Sequence, residues 1–167
     1  MRRLVPFLCS LALLAGAAAR ADQAAPLELR FGSFFRQPVG PRGLELSETL
    51  RAADGREVLL RGYVVVQERP QPGRFWLTPR PLRLSEHADG EADDLPPGTV
   101  TVLLDPAQRE RIVLAHAGEG PMTLRGRLEA GRSEDPASGR VSWLRLQLAP
   151  DGLAEAPAAA SPSSHAH

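Results

Sequence analysis

The sequence predicts an all-β domain with one short helix: a five-stranded, OB-fold-like Greek-key barrel with that helix between strands 3 and 4. Three observations predict it. Five β-branched or alternating apolar runs are separated by turns rich in Gly, Pro and Asp. One helical stretch falls between the third and fourth runs. Gly62 and Gly126 stand inside two of the runs, where barrel strands bend or bulge.

The elements follow in chain order. Ser47 to Ala53 reads as a helical turn with Ser47 as N-cap, and Asp54-Gly55 as the turn after it. Glu57 to Glu68 (EVLLRGYVVVQE) is the first strand. Arg69 to Gly73, with two prolines, is a hairpin loop, and Arg74 to Thr78 (RFWLT) is the second strand. Pro79 to Gly98 reads as a long polar loop, and Thr99 to Leu104 as the third strand. A helix is expected from Asp105 to Gly118. Asp105 is its N-cap, Pro106 sits at N1 where its missing N–H costs nothing, and Gly118 is the stop. Pro121 to Ala130 is the fourth strand, with Met122, Leu124 and Leu128 on one face and Arg125 and Arg127 on the other. Arg140 to Leu148 is the fifth, with Leu144, Leu146 and Leu148 inward.

Four zones surround and include this barrel. Residues 1–21 read as a cleavable signal peptide. Arg2 and Arg3 precede the apolar run Leu4 to Ala19, which ends in the small-x-small pattern Ala19-Arg20-Ala21. That run has 16 residues, short of the ~20 a spanning helix needs, so cleavage after Ala21 is expected and no transmembrane segment afterwards. Cys9 lies inside the apolar run, the wrong context for lipid attachment. Residues 22–41 form an irregular apolar arm, 42–150 the barrel, and 151–167 an Ala/Pro/Ser-rich tail too poor in large apolar residues to offset its ordering entropy.

Cleavage changes the chemistry available. It removes the single cysteine and Arg2, Arg3 and Arg20, leaving 17 arginines against 20 acidic residues, a formal charge of −3. No disulfide, thiolate metal site or thiol redox chemistry remains, and the domain must be held by its hydrophobic core. A weakly acidic exported chain lacks the basic face that phosphate affinity needs, so nucleic acid is excluded as a partner. Every basic residue is Arg and none is Lys, as a GC-rich bacterial coding sequence gives. The expected location is periplasmic or secreted.

Two segments carry a resemblance. Asp54 to Val64 (DGREVLLRGYV) and Phe75 to Pro81 (FWLTPRP) resemble the D-G-x-x-V-x-L-x-G-Y and F-x-L-T-P-x-P motifs of an uncharacterised family of exported bacterial OB-fold-like proteins. The resemblance covers about residues 47–105. It implies an exported barrel and no particular activity. In that family one or two Cys follow the P-x-P. Here Leu82 to His87 stand in their place, so no thiol role carries over.

The chemistry-bearing residues concentrate after the second strand. Glu86, His87, Asp89, Glu91, Asp93 and Asp94 place five carboxylates and one imidazole in nine residues, with Gly90 among them. Hard cations such as Ca²⁺ want several oxygen ligands from one flexible loop, so a divalent cation is the one possible cofactor. The spacing does not fit an EF-hand, and Zn²⁺ would need more than the single local His. The plainer reading is a solvated acidic loop. Arg74, Arg80 and Arg83 precede it and could pin it by ion pairs, each worth ~0–1 kcal/mol when exposed. His116 suits a helix C-terminus, and His165 and His167 fall in the tail. No P-loop, GxGxxG or HExxH occurs, and no Ser has His and Asp at motif spacing.

A partner surface is the other candidate. OB-folds bind ligands on the face of the second and third strands, often with exposed aromatics. Phe75 and Trp76 must face opposite ways, and Trp143 has the opposite parity to Leu144. Phe34 and Phe35 make the arm too apolar to float, so it packs across the barrel or docks on a partner. Phe34, Phe35, Trp76, Arg80, Arg83 and Trp143 are the candidate partner residues. The function expected is a non-catalytic periplasmic binding or adaptor module for an envelope protein. A divalent-cation-binding accessory protein using Glu86–Asp94 is the first alternative, and a hydrolase of unknown type the second.

Overall fold

The computed structural model describes residues 25–84, 86–87, 90–91, 95–109, 120–136 and 138–154. Its strands are β1 Leu27–Leu29, β2 Glu57–Val64, β3 Val66–Gln67, β4 Arg74–Thr78, β5 Arg83–Leu84, β6 Glu86–His87, β7 Gly90–Glu91, β8 Val100–Leu103, β9 Pro121–Glu134 and β10 Val141–Ala154. A 3-10 turn, Phe31–Ser33, and a short helix α1, Glu48–Ala52, precede β2.

The pairings run in a ring. β2 pairs antiparallel with β4, β4 with β8, β10 with β9 and β9 with β2, while β8 and β10 run parallel. Read as barrel strands one to five, the order is 1-2-3-5-4-1 with the third and fifth parallel, which is the OB topology. Alternation in the sequence builds it. Val58, Leu60 and Val64 of β2, Val100 and Val102 of β8, Leu124 and Leu128 of β9, and Leu144, Leu146 and Leu148 of β10 are buried in one core. Their neighbours point outward. Burial of each such side chain stabilises by about 1.5–3 kcal/mol before ordering entropy is subtracted.

Several elements differ from the sequence expectation. The first strand breaks at Val65 into β2 and β3. Gly62 marks no bulge, because β2 pairs with β9 in unbroken register from Glu57 to Tyr63. It is small because the chain crowds it: a Cβ there would lie 2.7 Å from Phe31 Cε2 and 2.8 Å from the Thr78 carbonyl oxygen. The connection from Pro79 to Gly98 is not simply polar. β5 pairs parallel with β3, and Leu82, Leu84 and Leu95 pack with Val65 and Trp76 in a second apolar cluster.

Strands β9 and β10 are longer than expected. Each has 14 residues, so β9 runs on through Gly131–Glu134, and β10 takes in Asp151–Ala154, expected as disordered tail. Residues 155–167 lie outside the described residues. The β10 register jumps from Leu148 opposite Gly126 to Leu153 opposite Leu124, a bulge that holds Pro150. The Gln108 side-chain amide pins it by donating to the Ala149 and Pro150 carbonyls at 2.7 and 3.1 Å. Arg125 pins it from the other side through Asp151 and also pairs with Glu57. That guanidinium is held above its ordinary pKa chiefly by its hydrogen bond to Glu57; burial opposes the shift and Asp151 adds to it.

Of the helix expected from Asp105, only the capping contacts lie among the described residues. Asp105 Oδ1 accepts from the N–H groups of Ala107 and Gln108 at 2.8 and 3.0 Å, the N-cap arrangement. Residues 106–109 form a turn, and 110–119, with His116, lie outside the described residues.

The arm is not irregular. β1 joins the sheet parallel to β2, with Leu27 opposite Val58 and Leu29 opposite Leu60. Phe34 is 0% exposed in the barrel core, with its ring 4.9 Å from that of Phe31. Ser47 ties arm to helix: its Oγ accepts from Leu50 N–H at 3.1 Å and donates to the Ser33 carbonyl at 2.5 Å. Among the described residues no helix is long and apolar enough to cross a membrane.

Candidate functional site

The outer face of β4, β8 and β10 carries two rows of side chains. Trp76 of β4 lies opposite Thr101 of β8, which lies opposite Arg145 of β10; Arg74, Leu103 and Gln147 form the next row. The β9–β10 hairpin extends beyond the barrel and turns back over this face. Its tip is closed by two backbone bonds, Asp135 N–H to the Arg140 carbonyl at 2.9 Å and Gly139 N–H to the Asp135 carbonyl at 2.8 Å.

Charged contacts hold the tip to the face. The Arg74 guanidinium donates to Asp135, to Ser138 Oγ at 3.3 Å and to Gln71 Oε1 at 2.5 Å. Arg140 stands over the Trp76 ring, 5.0 Å from its centroid, a cation–π geometry. Arg145 braces the base of the tip. It donates to Glu129 at 3.1 Å, to the Gly131 carbonyl at 2.8 Å and to the Ser142 carbonyl at 3.2 Å. Between tip and sheet lies a cleft of about 240 Å³. Three guanidiniums and the hydroxyls of Thr101, Ser133 and Ser142 line it.

A wider groove, of about 700 Å³, runs between the arm and β2, past Arg61, Tyr63 and Thr123. It is the larger space, yet less is built into it. Its charged residues are exposed: Arg61 on β2, and Arg30 and Glu28, which pair with each other at 3.3 Å with side chains 83% and 71% exposed, so water screens them. The smaller cleft, where Arg74 and Arg145 are 19% and 14% exposed, is the better candidate.

The expected site residues are scattered. Phe34 is not at the surface but in the core, because the arm folds onto its own barrel. Phe35 is half-buried, packed against the core and bridged to Leu46. Trp76 does face out of the barrel while Phe75 faces in, but it is only 4% exposed, covered by Leu84, Val65 and Arg140. Arg80 and Arg83 are exposed beside β5. Trp143 is 64% exposed, two residues before Arg145 on β10. Arg74 reaches Asp135; the side chains of the acidic stretch it was expected to pin lie outside the described residues.

The expected cation ligands fall largely outside what is described. Asp89, Asp93 and Asp94 lie outside the described residues, and so do the side chains of Glu86, His87 and Glu91. The β6–β7 register sets Glu86 opposite Glu91 and His87 opposite Gly90. Among the described residues no three His, Cys, Asp or Glu side chains converge as metal ligands do.

Sequence reasoning missed Asp135, Arg140, Arg145 and Ser142 as site residues. The Arg145 signal was present: it alternates with Leu144 and Leu146, which places it on the outer face. Asp135 gave none, since Asp-Pro in a Gly/Ser-rich stretch reads only as a turn.

No family model matches the chain, and neither does any curated protein. Among solved structures, the chain is similar to a DUF3299 family protein from Pseudomonas aeruginosa PAO1, at 14% identity and a TM-score of 0.45, over 80% of this chain and 99% of that one. At that level the likeness carries no argument, and the fold assignment rests on the strand pairings of this chain.

Proposed function

We propose that this chain is a non-catalytic binding module that works after export to the periplasm and holds an envelope protein on the outer face of β4, β8 and β10. One observation carries the reading: the face that OB barrels use for ligands here holds a walled cleft of about 240 Å³ lined by Arg74, Arg140 and Arg145. Arginine and tryptophan are the residues enriched at binding hot spots, and Trp143 is exposed on β10, two residues before Arg145. The arm contributes less than its sequence suggests, since Phe34 is committed to the core; among its described residues Val39 is the large apolar one that is exposed. Export rests on the leader at residues 1–21.

The test is site-specific photo-crosslinking in the native host. A photoreactive residue at position 143 should give one discrete adduct with an envelope protein, and the same residue at Arg51, on α1, should give none. Thr101→Arg, which fills the cleft, should abolish the adduct at 143. Adducts at both positions, or at neither, would refute the binding face. The exported protein should begin at Asp22 by mass spectrometry.

A further inference from the structure

The hairpin tip occupies the cleft in the manner of a ligand. Arg74 sits on the barrel wall with its side chain 19% exposed, and two of its three polar partners, Asp135 and Ser138, come from the tip. A guanidinium presents parallel N–H groups that match both oxygens of one carboxylate. Here the fork is divided: Nη1 reaches Asp135 and Nη2 reaches the Ser138 hydroxyl. An incoming carboxylate could take both nitrogens at once, which the tip does not.

The tip stands outside the apolar core. Among the described residues of the tip, none of 135, 136 and 138–140 belongs to either apolar cluster. The β9–β10 register shifts between Ser142 and Leu144. Gly131, across from that shift, has φ +134° and nothing within 4 Å of a Cβ position. Below the shift, Leu144 is 2% exposed and fixed in the core.

We infer that Asp135 is an internal stand-in for a partner's carboxylate, and that the cleft takes an acidic peptide segment that replaces Asp135 on Arg74. This rests on the binding-face reading above and names its ligand chemistry. Arg145 lines the same cleft from β10, and Glu134 and Asp135 are the carboxylates that line it. The occupant already present is a peptide carboxylate followed by a peptide hydroxyl, which sets the spacing.

Capped hexaglutamate at low ionic strength is the probe, titrated into the mature chain and followed on the two tryptophan indole signals by NMR. The Trp76 signal should move, since release of the tip withdraws Arg140. Asp135→Asn should bind at least about five-fold tighter than wild type, and Arg74→Gln at least about ten-fold weaker. Ser138→Ala, which loosens the tip without changing charge, should tighten binding about two-fold and serves if Asp135→Asn fails to fold. Equal affinity of wild type and both tip variants, undiminished binding by Arg74→Gln, no hexaglutamate binding at all, or equal binding of oligogalacturonate would each overturn the inference. A crosslink from position 143 that ignores Asp135 would leave the binding face standing and remove only the carboxylate assignment.

Discussion

The barrel is covered at two places, and the covers are made of different material. At one, the arm lays β1 along β2 and drives Leu29 and Phe34 into the core, with Phe31 packed on top. At the other, the β9–β10 tip lies over β4 and β8 through an ion pair, a hydroxyl contact and a cation–π contact. Apolar burial of the first kind is insensitive to salt and has no substitute in water. Partly solvated charged contacts of the second kind are worth little and can be exchanged for equivalents. One cover is therefore part of the hydrophobic core, and the other is held by contacts that salt and water weaken.

The comparison breaks first if the arm proves dispensable. Phe34→Ala should cost about 3–5 kcal/mol, the usual loss for a fully buried aromatic. Urea unfolding should show a lower midpoint at unchanged slope, with the same loss at low and high NaCl. A loss below about 1 kcal/mol would mean that the arm packs only loosely. Gly62→Ala should follow at about 1–3 kcal/mol, the range for overpacking. The new methyl would meet Phe31 Cε2 at 2.7 Å, Leu77 Cγ at 2.9 Å and the Thr78 carbonyl oxygen at 2.8 Å. The first two can shift, but the third is backbone. Hydrogen exchange should then speed up at β1 before it does so at β8, because lifting the arm is the cheaper relief.

These two regions also show what a sequence exposes and what it hides. β4 runs from Arg74 to Thr78 as expected because Gly73 and Pro79 bound it, and the Ser47 cap was visible because capping is local. The OB order followed from element count and spacing. What stayed hidden depends on contacts between distant residues. Asp135 and Arg74 are 61 residues apart, and proximity in sequence pointed Arg74 toward the acidic stretch after β5 instead. Gly131–Glu134 carries turn chemistry but forms a strand, since Ser142 and Val141 stand opposite to pair with it. Phe34 looked like a surface anchor because its destination in the core is set by the barrel, not by its own neighbours.

The smallest expected effect is the most informative about the tip. A double-mutant cycle of Arg74→Gln and Asp135→Asn, read as unfolding free energies, should give a coupling of about 0.5–1 kcal/mol at low salt. The side chains are 19% and 28% exposed, so each keeps some water and the pair is not a buried one. At about 1 M NaCl, where the screening length is ~3 Å, most of that coupling should vanish, while the Phe34→Ala loss stays in place. A coupling above about 2 kcal/mol that survives high salt would make the tip as permanent a cover as the arm. Asp135 would then be a structural partner of Arg74, and a ligand carboxylate could not displace it. A small, salt-labile coupling instead leaves Arg74 bound weakly enough by its own chain for an outside carboxylate to compete.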